Sequence, residues 1–173
     1  MGKLSACSDG SYSEGKAAQG WVVATSSGSV VLKGSGPTDG HPNLLSAFRA
    51  EISGLLALLY IIQKKCLFYQ ITDGSIDLFC DNKGAIAKVF HRQQQGITPY
   101  LSTDHDLINS CHQLLLMIPL KIAGKWVKGH YSGTKKWLEH HLSQTADNLA
   151  THHNDHSGPT LQTIKLPIPL PNY

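Results

Sequence analysis

The sequence predicts an α/β domain in which helices cover a mixed β-sheet. Three strand-like segments open the chain, and helical and strand patterns then alternate, so that the inferred order is βββ-α-β-α-α-β-α. The 173 residues, of which 41% are hydrophobic, suffice for one domain with a buried core. A charged fraction of 16% argues against a disordered chain.

The first three predicted strands form a β-meander. They cover residues 4–12, 17–25 and 29–34, and turns rich in Gly and Ser separate them. Residues 34–43 contain three glycines and two prolines, which indicates a loop. A long helix follows, because five apolar side chains recur at helical spacing: Phe48, Ile52, Leu55, Leu59 and Ile62.

The middle of the chain predicts one further strand and two further helices. Residues 76–80 form a short buried strand, and a helix is predicted over residues 83–95. Thr103-x-x-Asp106 resembles a capping box, which predicts the start of the next helix.

The last two predicted elements are a strand over residues 121–128 and a helix over residues 135–151. Trp126 alternates with Ile122 along this strand, as a core residue would. The predicted sheet therefore has five strands.

Composition excludes several classes of protein. The longest nearly uninterrupted apolar stretch, Leu55 to Ile62, is too short to span a membrane. The first residues lack the apolar region of a secretory signal, so we expect an intracellular protein, in cytoplasm or nucleus. The four cysteines include no C-x-x-C pair, and we expect reduced, buried thiols.

The net charge of +3 is unevenly distributed. Residues 82–138 carry eight basic and two acidic residues, a net charge of +6, whereas the rest of the chain carries −3. A basic region fits a polyanionic ligand whose phosphates are held by Lys and Arg. A solvated basic face is the alternative interpretation.

Four acids are candidates for a metal site: three flank strand ends or helix starts, and two follow apolar runs that need no charge. Asp9 lies in the first strand, Glu51 in the first half of the long helix, Asp81 at the end of a strand and Asp147 on the last helix. Converging carboxylates repel each other unless a cation joins them, and oxygen ligands select Mg²⁺ or Mn²⁺. Two such ions would stabilise the attacking and leaving oxygens of a phosphate displacement. Taken singly, each acid also fits a solvated charge or a helix cap.

Five short motifs, in order, resemble those of the ribonuclease H family: SDGSY at Asp9, RAEISGLLAL at Glu51, FCDNKGAI at Asp81, WVKGHYSG at His130 and ADNLA at Asp147. The resemblance covers about residues 3–153, and the segments STDHDLI and LEHHLSQTADNLA are most similar to RNase H domains of retroelement reverse transcriptases. It implies an RNase H-like fold with a mixed five-stranded sheet. The catalytic domain would cover residues 1–156, followed by a Pro-rich tail or linker over residues 157–173.

The resemblance also implies an activity, the hydrolysis of the RNA strand of RNA–DNA hybrids to give 3′-hydroxyl and 5′-phosphate ends. Asp9, Glu51, Asp81 and Asp147 would hold two Mg²⁺ ions, with Mn²⁺ as a substitute. One ion would activate the attacking water and the other would steady the leaving oxygen. His130 would assist proton transfer or product release.

Other residues are expected to contact the hybrid, which would be read through its minor groove and 2′-hydroxyls. Ser11 and Asn82 adjoin catalytic positions and are predicted to hydrogen-bond sugar or phosphate, with turn roles as the alternative. Lys128, Lys135 and Lys136 are predicted to bind the duplex.

The sequence departs from the family where cellular members carry an Asn-Gln pair, because Ala47 and Phe48 stand there. A separate basic handle is also absent between the two middle helices. Both departures imply that the domain alone binds the hybrid weakly, which would suit a monomeric domain that works beside a reverse transcriptase polymerase domain.

The competing hypotheses are a hybrid-binding module that has lost hydrolysis and another nuclease or transposase of the same superfamily. The histidines near the C-terminal end fit a polar helix face better than a zinc site.

Overall fold

The computed structural model describes residues 3–91, 103–129 and 137–156. The strands are β1 Lys3–Ser13, β2 Lys16–Thr25, β3 Val30–Pro37, β4 Ser75–Cys80 and β5 Lys121–Trp126. The helices are α1 Ala47–Phe68, α2 Lys83–Phe90, α3 His105–Met117 and α4 Leu138–His156, and a short 3₁₀ helix covers Pro42–Leu44. In the part of the chain so described, no helix is long and apolar enough to cross a membrane.

The five strands form one mixed sheet in the order β3-β2-β1-β4-β5. The hairpins β1–β2 and β2–β3 are antiparallel, whereas β4 pairs parallel to both β1 and β5. The predicted fold class, a β-meander followed by parallel strands, is therefore confirmed. Strand β1 lies at the centre of the sheet, so its residues have β2 and β4 on either side and α1 and α4 on the two faces.

One face of the sheet carries the main core. Helix α1 begins after Ser46, whose Oγ accepts a hydrogen bond from the Arg49 backbone N–H at 3.0 Å. Its apolar stripe packs on β1 and β2, in a core that also contains the buried side chains of β4, and α2 and α3 complete this side of the domain. Ile52, Leu55 and Leu59 belong to that stripe, as the helical spacing predicted.

Helix α4 covers the opposite face. Leu142 and Ala146 pack on Cys7, Val22 and Ala24, which alternate with the residues that face α1. All four cysteines of the chain are buried and free, as expected from their isolated positions in apolar runs.

Several predicted boundaries were wrong. Strand β3 runs through Pro37 because Gly36 and Pro37 pair with β2, although their composition indicated a loop. Strand β5 ends at Trp126 rather than 128, and α2 ends at Phe90 with His91 as its C-cap. The rest of the predicted helix, residues 92–95, lies outside the described residues.

The predicted capping box was also wrong. Asp104 is the N-cap of α3 but makes no capping hydrogen bond, and Thr103 Oγ1 donates to Asp104 instead. Asp104 and Asp106 both accept hydrogen bonds from the buried guanidinium of Arg49 on α1, at 3.3 Å and 2.6 Å for their shortest contacts. Arg49 Nε also donates to the Asp39 carbonyl at 2.8 Å. Asp106 makes a bidentate ion pair with Arg49 and Asp104 a single buried contact, and such charge-assisted bonds are stronger than a neutral cap, so both acids turn towards Arg49.

Candidate active site

Asp9 and Glu51 meet where β1 passes the start of α1. They are 7% and 8% exposed, so both carboxyls are largely withdrawn from water. A Cβ atom at Gly10 would lie 2.5 Å from the Glu51 backbone nitrogen and 2.6 Å from the Ala50 carbonyl carbon. Only glycine fits there, and its absence of a side chain lets the helix bring Glu51 against the strand that carries Asp9. The Gly10 backbone N–H also donates to Asp9 Oδ1 at 2.7 Å.

Asp81 reaches the same place from β4. The last residues paired between the parallel strands β1 and β4 are Cys7 and Phe79. Asp9 and Asp81 each lie two residues further along, so the same register places them side by side. One oxygen of Asp81, one oxygen of Glu51 and the sulfur of Cys80 lie within 4.8 Å of one another.

Asp147 approaches from the opposite face of the sheet. Gly20 is the β2 partner of Asp9, and a Cβ atom at Gly20 would overlap the Ala146 carbonyl oxygen. The α4 backbone therefore lies directly on the strand beside Asp9. Asp147 follows Ala146, and its charge contributes to the raised pKa of Asp9. The structure thus brings all four predicted carboxylates together.

Burial and mutual repulsion perturb the two central carboxyls. Burial, followed by the charges of Asp9 and Asp81, raises the pKa of Glu51 from 4.5 to about 9. Burial, with the charges of Asp81 and Asp147, raises the pKa of Asp9 from 3.8 to about 7. A hydrogen bond between the two side chains raises the pKa of Glu51 and lowers that of Asp9, so Glu51 keeps the shared proton. A divalent cation would replace this proton, and the oxygen donors fit a hard ion such as Mg²⁺.

Cys80 is a member of the site that the sequence reasoning missed. Its thiol is fully buried and donates to Glu51 Oε2 at 3.6 Å, while the Asn82 backbone N–H donates to its sulfur at 3.4 Å. The sequence predicted only that Cys80 is a buried, reduced thiol at the end of a short strand. Its position directly before Asp81 was the one available signal.

Trp126 was wrongly predicted to be a core residue. It is 45% exposed, and its indole Nε1 donates to the Asp81 carbonyl oxygen at 2.7 Å. The ammonium nitrogen of Lys83 lies 4.2 Å from the centre of the indole ring. The indole N–H needs a polar partner, and it finds one at the end of the strand next to the site.

The segment after β5 also touches the site. The Val127 backbone N–H donates to the Cys80 carbonyl at 3.0 Å, and a Cβ atom at Gly129 would overlap the Asp81 carboxylate. Gly129 thus allows the backbone to lie against Asp81, a second contact that sequence reasoning missed. His130 follows Gly129 in the chain but lies outside the described residues.

The predicted substrate-binding residues lie around the site. Ser11 is two residues beyond Asp9 on β1, and its Oγ accepts a hydrogen bond from Asn154 Nδ2 at 3.4 Å. Asn82 caps α2 through a hydrogen bond from the Ala85 backbone N–H to its Oδ1 at 3.0 Å, which is the turn role left open by the sequence. Lys128 is exposed and precedes Gly129. Lys135 and Lys136 lie outside the described residues.

The basic region, residues 82–138, contains two acids whose charges are neutralised in the fold. Its two acids, Asp104 and Asp106, are bound by Arg49, which lies outside that region. Lys83 and Lys88 are exposed on α2, and Lys88 Nζ lies 4.9 Å from the centre of the Phe48 ring. Positive side chains therefore flank the acidic site on the side of α2 and β5.

Comparisons with known proteins bear on this architecture. No model of a protein family and no curated protein sequence matches the chain. RNase H1 from the halophilic archaeon Halobacterium salinarum NRC-1 has a TM-score of 0.59 at 20% identity, over 90% of this chain and 100% of its own. LC11-RNase H1 in complex with an RNA/DNA hybrid has a TM-score of 0.65 at 13% identity, over 88% and 96%. The PFV RNase H domain has a TM-score of 0.60 at 18% identity, over 89% and 94%.

The chain has the ribonuclease H fold. This fold includes the strand order β3-β2-β1-β4-β5, which places Asp9 next to Asp81, and helix α4 on the face opposite α1, which carries Asp147. Within it, Asp9 and Asp81 come from adjacent parallel strands, Glu51 from the helix on one face and Asp147 from the helix on the other.

Proposed function

We propose that the chain is a metal-dependent endoribonuclease that hydrolyses the RNA strand of RNA–DNA hybrids. The observation that carries this proposal is the convergence of Asp9, Glu51, Asp81 and Asp147 at one place in an RNase H fold. Folding gains nothing from grouping four carboxylates, two of them buried, because their desolvation and repulsion oppose it. A site that binds cations explains why the chain tolerates this unfavourable free energy, because a bound cation would offset the repulsion between the carboxylates.

The four carboxylates would hold Mg²⁺, with Mn²⁺ as a substitute. Bound there, two such ions would supply Lewis-acid stabilisation of the charge that develops on the attacking and leaving oxygens of the phosphate. The chain itself contributes the placement of the ligands. Close packing at Gly10 fixes Asp9 against Glu51, and the indole of Trp126 holds the Asp81 carbonyl. His130 is predicted to assist proton transfer or product release.

The surroundings of the site support a nucleic-acid duplex as the substrate. Lys83, Lys88 and Lys128 are exposed and would hold phosphates, which gives affinity without sequence preference. The likeness to LC11-RNase H1, whose structure contains an RNA/DNA hybrid, supports this choice of duplex. The motif resemblance supports a reverse transcriptase polymerase domain as a further partner.

The test is an assay of labelled duplexes in Mg²⁺. We expect cleavage of the RNA strand of a hybrid, and Asp81→Asn should slow it by at least about a hundredfold, since bound metal supplies several kcal/mol of charge stabilisation. Asp73→Asn makes the same change at an exposed loop position before β4 and should have no effect.

Three results would contradict the proposal. Cleavage that Asp81→Asn leaves unchanged would place the chemistry elsewhere. Salt-sensitive binding of the hybrid without turnover would identify a binding module instead. Preferential cleavage of a DNA duplex would identify another kind of nuclease.

A further inference from the structure

The thiol of Cys80 is the feature of the site that the proposed function does not use. Cys80 ends β4 with its side chain fully buried, on the face that packs against α1. Its sulfur lies 3.6 Å from Glu51 Oε2, and an oxygen of Asp81 lies within 4.8 Å of both atoms. Two oxygens and one sulfur therefore converge from α1 and from two consecutive residues at the end of β4.

The separation of these atoms matches a site for a softer metal. In tetrahedral zinc sites the ion lies about 2.3 Å from a thiolate sulfur and about 2.1 Å from a carboxylate oxygen, which sets the two ligand atoms about 3.6 Å apart. The sulfur of Cys80 and Glu51 Oε2 already have this separation. Two carboxylates and one thiolate would also leave a coordination position open for water.

The chemistry of the ligands separates two kinds of ion. Mg²⁺ prefers an octahedral shell of oxygens and gains nothing from a thiol, whereas Zn²⁺ and Cd²⁺ bind thiolates strongly. We propose that Cys80, with Glu51 and Asp81, forms a binding site for a thiophilic divalent cation, and that occupation of this site inhibits the nuclease. The thiol proton and the proton held by Glu51 pass to solvent when the metal–sulfur and metal–oxygen bonds form. The inhibition rests on the proposed function, but the metal site does not.

Direct binding is tested with Cd²⁺ added to the metal-free protein. A cadmium–thiolate bond gives a charge-transfer absorption in the ultraviolet, which carboxylates and the many histidines of α4 cannot produce. We expect this band to saturate at one ion per chain, to disappear in Cys80→Ala and Cys80→Ser, and to weaken in Glu51→Gln.

Matched controls use two other buried cysteines. Cys66→Ala removes a buried thiol 15 residues along α1 from Glu51, about 22 Å away, and should leave the band unchanged. Cys7→Ala removes the thiol on the opposite face of the sheet and should also leave it unchanged. A band that persists without Cys80, or is lost in either control while circular dichroism shows a folded chain, would overturn the site. Absence of the band from the unmodified protein would do the same.

Inhibition is tested separately with Zn²⁺ in the Mg²⁺-dependent cleavage assay, each variant being compared with itself in the absence of Zn²⁺. We expect Cys80→Ser to need at least about tenfold more Zn²⁺ for half-inhibition than the unmodified chain does, and Cys66→Ala to match the unmodified chain. Equal inhibition of Cys80→Ser would overturn the regulatory role. A chain that gives the cadmium band but cleaves no hybrid would contradict the proposed function and support the metal site.

Discussion

Replacing Glu51 with glutamine tests the electrostatics of the site without reference to its activity. In the unfolded chain Glu51 loses its proton near pH 4.5, whereas burial and the neighbouring carboxylates raise its pKa to about 9 in the folded protein. At pH 7 the folded state must therefore keep a proton that the unfolded state has released. The interval from 4.5 to 7 is 2.5 pH units, and each unit corresponds to about 1.4 kcal/mol, so this costs about 3.5 kcal/mol of stability.

Glutamine has the shape of the protonated side chain and can donate to Asp9 in the same way. Glu51→Gln should therefore make the metal-free protein more stable at pH 7, by up to about 3.5 kcal/mol. The sign follows from linkage, because the unfolded state binds fewer protons than the folded state between pH 4.5 and 9. The stability of the unmodified protein falls as the pH rises through that range, and the advantage of the variant grows. At pH 5 it should shrink to about 0.7 kcal/mol.

The measurement is urea unfolding in EDTA at pH 5, 6, 7 and 8, followed by circular dichroism. Glu14→Gln is the matched control, because Glu14 lies in the exposed turn between β1 and β2. A variant that is less stable than the unmodified protein at pH 8, or a difference that does not change with pH, would refute the reasoning. Mg²⁺ at 100 times its dissociation constant should offset most of the advantage of the variant at pH 7, since it stabilises the unmodified protein by about 2.7 kcal/mol and Glu51→Gln removes one of its ligands.

Three further substitutions test how the site is supported. Arg49→Ala leaves buried Asp104 without its positively charged partner and should reduce the free energy of unfolding by about 3–5 kcal/mol, measured with urea at pH 7. Gly10→Ala forces β1 away from α1 and should reduce stability by about 1–3 kcal/mol while abolishing hybrid cleavage. Trp126→Phe keeps the ring but removes the hydrogen bond to the Asp81 carbonyl, and we expect up to about tenfold slower turnover with an unchanged KM.

The sheet and most helices could be predicted because their signals are local. Apolar side chains at helical spacing located α1, and alternation located the strands, since both periodicities belong to a single element. The end of β3 could not be predicted in this way. Its Gly36 and Pro37 resemble a loop by composition, and only their pairing with β2 keeps them in the sheet.

The acids of the candidate site could be predicted from the sequence, but the side chains that contact them could not. The four carboxylates were identified from their motifs, which occur in order along the chain. The thiol of Cys80 and the indole of Trp126 were assigned to the core, because alternation along a strand gives the face of a residue but not where the covering helix ends. Arg49 was missed for a different reason, because its acidic partners lie 55 and 57 residues away in the sequence.

The directions of the pKa shifts separate the acids that hold the fold together from those that form the site. A hydrogen bond from the buried arginine lowers the pKa of Asp106, and hydrogen bonds from two lysines outweigh burial and lower the pKa of Asp77. For Asp9 and Glu51, burial and neighbouring carboxylates act in the same direction and raise the pKa. Ionised Asp77 and Asp106 therefore stabilise the folded state above their unfolded pKa, whereas ionised Asp9 and Glu51 oppose it until a cation is supplied. The net charge of the chain does not distinguish these two groups of acids, because the direction of each pKa shift depends on the groups that the fold places beside the carboxylate.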